Sequence, residues 1–261
     1  MKLASVLSRG VLLGLLAVLV PAEAHGGFVA ANVLGTAQTF GVLAGSTVTN
    51  TGPSVVFGNV GVWPGSAATG FPPGIVNNGV IHLGTAVAQQ AQTDATSAYG
   101  ILAGLSPTQN LTGTDLGGLV LTPGVYNFSS SAFLTGTLVL DAQGDPNAQF
   151  IFQMGSTLIT ASDASVVTLN GADGCNVFWQ VGSSATLGTN TNFAGNIVAL
   201  TSITLTTGAN ILDGSALALN GAVTMDSNII MNGCAIPAPG AAALLALASI
   251  AGIASPRRRK T

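Results

Sequence analysis

GNIVALTSITLTTGANIL (195–212) and GSALALNGAVTMDSNIIM (214–231) align with residue 195 opposite residue 214, an offset of 19. Each unit holds three short alternating segments separated by Gly, Ser, Asn or Thr. A period near 19 with three strands per period predicts an all-β solenoid, a three-sided parallel β-helix. Alternation sends Ile203, Leu205, Val223 and Met225 inward, and Thr204, Thr206, Thr224 and Asp226 outward.

The same unit recurs upstream. AQFIFQMGSTLIT (148–160) resembles CNVFWQVGSSATLGT (175–189) in its large apolar residues followed by Gln, an apolar residue, Gly and Ser. One segment of each coil stands apart. FIFQM (150–154), VFWQV (177–181), NIVAL (196–200) and SALAL (215–219) are nearly continuously apolar. Strands of that kind are buried on both sides, so this face needs a cover. The cover is a helix at about 85–105, where Ala88, Ala91, Ala95, Ala98, Tyr99, Leu102 and Leu105 recur at helical spacing. Gly104 and Pro107 mark its end. Residues 42–61 and 75–83 alternate as strands. Part of this N-terminal material is expected to cap the open end of the solenoid, which would otherwise be an exposed sheet edge.

Charge is confined to the chain ends. The 261-residue chain has six Lys and Arg, and all lie outside 10–256: Lys2, Arg9, Arg257, Arg258, Arg259 and Lys260. Lys2 and Arg9, the apolar run 11–20 and Ala22-Glu23-Ala24 predict a signal peptide over 1–24. The mature domain then spans 25–235. Pro237-Ala238-Pro239, an apolar stretch 240–255 and the basic cluster 257–260 follow. Residues 236–261 resemble a PEP-CTERM sorting signal, with Ala238 where that signal usually has Glu. The resemblance implies an exosortase-like enzyme as partner and a secreted or surface-anchored body, its C-terminal anchor cleaved or retained.

The body is neutral to acidic. Nucleic-acid binding requires cations on the protein and is excluded, as is adhesion to anionic lipid. Cys175 and Cys234 fall about three coils apart, roughly 14 Å at the strand spacing, beyond the ~7 Å reach of a disulfide. Two free thiols are expected. No cofactor or metal site is expected from two cysteines and a nearby histidine.

VLAGSTVTNTG (42–52), TGFPPG (69–74), LTGTDLGG (111–118), LTPGVYNFSSSAFLTGTLVLDAQGDPNAQFIFQMGSTL (121–158) and CNVFWQVGSSATLGT (175–189) resemble the bacterial and fungal ice-binding protein family with the discontinuous β-helix. The likeness runs from about 40 to 232. It implies a right-handed β-helix with an α-helix packed alongside, and a flat face that adsorbs to ice.

The chemistry agrees with that implication. Ice is a rigid, uncharged lattice. A β-helix face repeats every ~4.8 Å, and Thr presents a methyl and a hydroxyl on a stiff β-branched stem. Two open faces remain once the helix covers the third. The preferred one begins at TASD (160–163), TNTN (189–192) and TGAN (207–210), and draws on Thr160, Ser162, Thr189, Thr191, Thr207, Ala209, Asn210 and Asn228. The resemblance supports this choice: some members of the family carry Thr, Ala or Gly, any residue, then Thr or Asn at the ice face. The alternative face carries Thr186, Thr204 and Thr224. Two rivals differ in class. An enzyme would need a carboxylate pair or a Ser-His-Asp set; neither can be argued here, and His82 reads as a helix-entry or capping residue. A structural or adhesive protein packing against exopolysaccharide would use the same neutral Thr-rich surface.

Overall fold

The computed structural model describes residues 28–234; the expected signal peptide (1–24) and sorting segment (236–261) lie outside them. Three parallel sheets form the sides of a solenoid. The first contains, in stacking order, Ile81–Leu83, Asn59–Val62, Phe40–Ala44, Ala216–Ala218, Asn196–Ala199, Val177–Val181, Phe150–Met154, Gly124–Phe128 and Gln109–Asn110. The second runs Ala132–Leu134, Leu158–Thr160, Ala185–Leu187, Ile203–Leu205, Val223–Asp226, Thr47–Thr51 and Ala67–Thr69. The third runs Ile75–Asn77, Val55–Phe57, Ile229–Met231, Asn210–Asp213, Asn192–Ala194, Ser165–Leu169, Thr137–Asp141 and Val120–Leu121.

The stacking order departs from chain order at one place. The N-terminal strands stack beyond the last C-terminal coil: Val42 pairs with Ala216, Val48 with Val223 and Val55 with Ile229. Residues 40–83 thus extend the solenoid by further coils, and sequence-distant ends of the body hold each other in register. The loop-closure cost of such pairings is repaid only after both ends are ordered.

Within the solenoid the alternation rule is followed. Phe150, Phe152 and Met154 point into the central core, as do Val177, Trp179 and Val181, while Ile151 and Phe178 join a second cluster under the helix. That explains the continuously apolar segments of the first sheet, whose strands are buried on both sides. An aromatic column fills the core: Tyr126 stacks on Phe152 (ring centroids 5.4 Å apart), Phe152 on Trp179 (3.9 Å), and Trp179 meets Phe193 at a tilt (4.8 Å). The Trp179 indole N–H is satisfied by Ala194 O at 3.0 Å.

The helix spans Ala86–Ala103. Thr85 caps it, its hydroxyl accepting from Ala88 N at 3.3 Å, and Gly104 ends it. Ala88, Ala91, Ala95, Ala98 and Leu102 are buried, so small side chains bring the helix close to the first sheet. Gln92 sits on the same buried face and donates to Ala218 O and Leu219 O. Gln153 donates to Leu102 O (2.7 Å) and Leu105 O (2.9 Å), satisfying carbonyls that the helix end leaves open. His82 does not cap the helix: it lies in strand Ile81–Leu83 with its ring tilted against Phe40.

The cysteines are not free. Cys175 and Cys234 form a disulfide with Cα atoms 5.2 Å apart. Counting coils overestimated their separation because corners differ in length. Single glycines, Gly195 and Gly214, turn the chain from the third sheet into the first in two successive coils. The preceding coil uses the longer segment 170–176, which reaches across those tight corners. Gly174 lies so close to Asp213 that a Cβ there would clash with Asp213 O. Cys234 is held from the other side, its carbonyl accepting from Gln38 and its N–H donating to Asn232.

Candidate ice-binding face

The outer face of the second sheet is built from alternate residues of seven short strands. In Thr47–Thr51, Val48 and Asn50 are buried and Thr47, Thr49 and Thr51 face outward. Register places Thr186 beside Thr204, Thr204 beside Thr224, Thr224 beside Thr49 and Thr49 beside Thr69. Five consecutive rungs therefore present the same side chain in one column, about 19 Å long at ~4.8 Å per rung. Ile159 and Phe133 continue it at the far end. A parallel column two residues earlier holds Ser184, Ser202, Ala222, Thr47 and Ala67, roughly 6.6 Å away along the strands.

Hydroxyl satisfaction separates this column from its surroundings. Among the described residues, Thr49, Thr69, Thr186, Thr204 and Thr224 make no side-chain hydrogen bond within the protein, and all are at least partly exposed. Their hydroxyls are free for an external partner. The neighbouring column is partly engaged, Ser184 Oγ accepting from Ser202 N and Ser202 Oγ from Ala222 N, which stiffens the sheet beside it.

The residues of TASD, TNTN and TGAN do not form a face. They build the corner between the second and third sheets, which turns through left-handed residues: Asp163 (φ 59), Asn190 (φ 57), Gly208 (φ 71) and Ser227 (φ 56). Thr160 is the inward residue of its strand, stacked with the position that holds Leu187 in the next coil. It is only 3 % exposed, and Thr191 is fully buried. Their hydroxyls bond to each other at 2.8 Å, Thr160 Oγ1 also accepting from Gly188 N and Thr191 Oγ1 donating to Ala161 O. Ala209 and Asn228 occupy the same inward corner column as Thr191 and are buried too. The Asn228 amide donates to Thr206 O and Ala209 O. These four side chains cannot meet a flat external surface; they staple the corner. Ser162, Thr189 and Thr207 are exposed on the corner ridge. The Thr207 hydroxyl is already spent on Asp226 and that of Thr189 on Thr206. Asn210 lies on the third sheet, where its amide donates to Asn192 Oδ1. The third sheet's outer face is mostly apolar, with Ile75, Val120, Val167, Leu169, Ile229 and Met231 exposed.

The sequence located Thr186, Thr204 and Thr224 on one face but missed Thr49 and Thr69, which complete the column. The available signal was the match of VTNTG (48–52) to VTMDS (223–227), which puts Thr49 opposite Thr224.

Acidic side chains are tied into turns. At Asp94 burial works against ionisation, but hydrogen bonds from the Thr36 hydroxyl, Thr36 N and the Gln90 amide outweigh it and hold the carboxyl below its ordinary range. Asp115 is lowered in the same way, burial being outweighed by donors from Thr135 and Gly117. Asp213 is the opposite case: burial, then the charge of Asp173, pushes its carboxyl up.

Comparison with known proteins shows the family and the fold. The model of the ice-binding-like family matches residues 42–231. An ice-binding protein of Nostoc sp. (strain HG1) is 66% identical over 203 residues, covering 78% of this chain and 75% of its own. The crystal structure of an ice-binding protein from an Antarctic biological consortium superposes with a TM-score of 0.73 at 47% identity, covering 75% of this chain and 88% of that one. That of an ice-binding protein from the Antarctic ascomycete Antarctomyces psychrotrophicus gives a TM-score of 0.73 at 41% identity, covering 76% and 96%. The chain belongs to the ice-binding-like family.

Proposed function

We propose that this protein binds ice through the outer face of its second sheet and thereby inhibits ice growth and recrystallisation. The observation that carries the reading is the column Thr186, Thr204, Thr224, Thr49 and Thr69, whose hydroxyls have no partner within the described protein. Ice offers oxygens at fixed positions and no charge. A binding surface must therefore be rigid and regular, and must shed its own water cheaply. β-Branched side chains on successive rungs meet the first two needs. Thr meets the third, because losing hydration from a hydroxyl and a methyl costs far less than losing it from an ammonium or carboxylate. The relatives of this chain are ice-binding proteins, which supports the same function. The exposed corner residues Ser162, Thr189 and Thr207 form the rim of this face.

Strand twist and the strong preference for right-handed parallel crossovers make the solenoid right-handed, with residues 67–83 as its N-terminal cap. Residues 1–24 direct export. Residues 236–261 deliver the body to the cell surface or to secretion through an exosortase-like enzyme, where exopolysaccharide is the surrounding matrix. The test is ice recrystallisation inhibition and crystal shaping by purified residues 25–235 in low-salt buffer, against albumin at matched concentration. Growth of unmodified discs at high micromolar protein would overturn the proposal.

A further inference from the structure

The geometry points to a second, redox-gated site: when the Cys175–Cys234 disulfide is reduced, the two thiolates and the Asp213 carboxylate bind a thiophilic divalent cation such as Zn2+. The ligand atoms of Cys175, Cys234 and Asp213 all lie within 4.8 Å of one another, and Cys175 Sγ is 3.7 Å from Asp213 Oδ1. A tetrahedral Zn2+ with bonds of about 2.0–2.3 Å joins such a set with small side-chain rotations, leaving its fourth position to water.

Three features hold the ligands in place without the sulfur–sulfur bond. Gly174 N donates to Asp213 Oδ2 at 3.0 Å, fixing one carboxylate oxygen and leaving Oδ1 towards the sulfurs. Cys175 N donates to Asp173 Oδ1. Cys234 is anchored through Gln38 and Asn232. The Cα separation of 5.2 Å therefore survives reduction. Charge favours the same occupant. Reduction adds two potential thiolates beside Asp213 and Asp173, and no Lys or Arg stands anywhere in 10–256. Among the described residues no Lys or Arg is present, so a bound cation supplies the counter-charge to this cluster. The steps balance: a dithiol reductant supplies two electrons and two protons, giving two thiols and its own disulfide. M2+ then displaces the two thiol protons. A disulfide oxidant reverses both steps: it accepts the two electrons, takes two protons from solvent, leaves as its own dithiol, and the re-formed Cys175–Cys234 bond expels the ion. The site would hold the C-terminal end of the body in register while the thiols are still reduced.

The experiment uses the purified, untagged full chain, reduced with a phosphine and freed of phosphine, then titrated anaerobically with Co2+ and competed with Zn2+. Reduced protein should bind one Co2+ per chain, with a sulfur-to-cobalt charge-transfer band in the near ultraviolet and the intense visible bands of tetrahedral cobalt. Oxidised protein should show neither. Asp213→Asn, reduced, should weaken binding by about tenfold or more while keeping the β-rich circular dichroism, since losing even an outer-shell partner costs 10- to 100-fold. Cys234→Ser should abolish the charge-transfer band. Absence of the band in reduced wild type, or equal affinity in Asp213→Asn, would overturn the site. Neither result bears on ice activity, so this inference and the proposed function fail separately.

Discussion

Removing the disulfide should cost a large share of this protein's stability. The perturbation is Cys175→Ser with Cys234→Ser, which deletes the cross-link and leaves no unpaired thiol. The bond closes a loop with a sequence separation of 59. Chain-entropy arithmetic for a loop of that size gives about 4 kcal/mol of stabilisation, acting through the unfolded state. For a domain of this size each kcal/mol shifts Tm by about 2–4 °C, so the double variant should melt about 8–16 °C lower. The structure says where the loss is felt. The loop spans the coils from Val177–Val181 to Ile229–Met231, and that last coil is the one on which the N-terminal strands stack. Far-ultraviolet circular dichroism melts of wild type and variant, both in EDTA to exclude metal, measure the shift. A fall of less than about 3 °C would contradict this role for the disulfide, because a cross-link of this span cannot be worth under ~1 kcal/mol unless the unfolded chain is already constrained there.

Asp94 clips the helix to the turn Gly35–Thr39, and its carboxyl sits below the ordinary range. Its contribution is therefore present above the unfolded value near 4 and lost as pH falls through the lower folded value. Asp94→Asn should cost about 1 kcal/mol at pH 7, after allowance for solvent screening. In thermal melts from pH 7 to 2 it should converge with wild type at the acid end; a constant gap would contradict the assignment. Asp213 has the reverse sign: its raised carboxyl penalises the fold at neutral pH, and stability is regained as pH falls through that raised value. In the disulfide-bonded protein Asp213→Asn should raise Tm at pH 7 and be neutral near pH 3, and a lower Tm at pH 7 would contradict this. Trp179→Ala empties the middle of the aromatic column and should cost about 3–5 kcal/mol in denaturant unfolding; a loss under ~1 kcal/mol would mean the column repacks.

Local periodicity carried most of the fold. The 19-residue offset between 195 and 214, the continuous apolarity of FIFQM and VFWQV, and the alanine stripe from Ala88 to Ala98 each reflect a rule acting within one strand or one helix. They identified three parallel faces and the covering helix. Long-range placement left no comparable trace. Val42 pairs with Ala216, and the trace of that pairing in the sequence is only the short match of VTNTG (48–52) to VTMDS (223–227), so Thr49 and Thr69 stayed outside the site. The disulfide was misjudged for a related reason: the reach of 170–176 over Gly195 and Gly214 depends on corner lengths, which a mean period hides. The corner motifs misled in another way. Thr160, Thr191 and Asn228 look like surface residues by type, but each is the inward member of its column: Thr160 by the alternation of its own strand, Thr191 and Asn228 just after left-handed turns at Asn190 and Ser227 that break it.

The choice between face and corner can be decided by bulk alone. A tyrosine in the Thr column lifts the whole plane off a flat lattice. At the corner, Thr207 already spends its hydroxyl on Asp226, and a ring there projects past the rim. The measurement is thermal hysteresis of Thr204→Tyr, Thr49→Tyr and Thr207→Tyr at equal concentration, with circular dichroism confirming that each is folded; exposed substitutions usually cost within about 0.5 kcal/mol. Thr204→Tyr and Thr49→Tyr should lose most of the hysteresis although their positions are some 150 residues apart in sequence, and Thr207→Tyr should keep most of it. Loss in Thr207→Tyr with the other two unaffected, or full activity in all three, would contradict the claim that ice meets the second sheet.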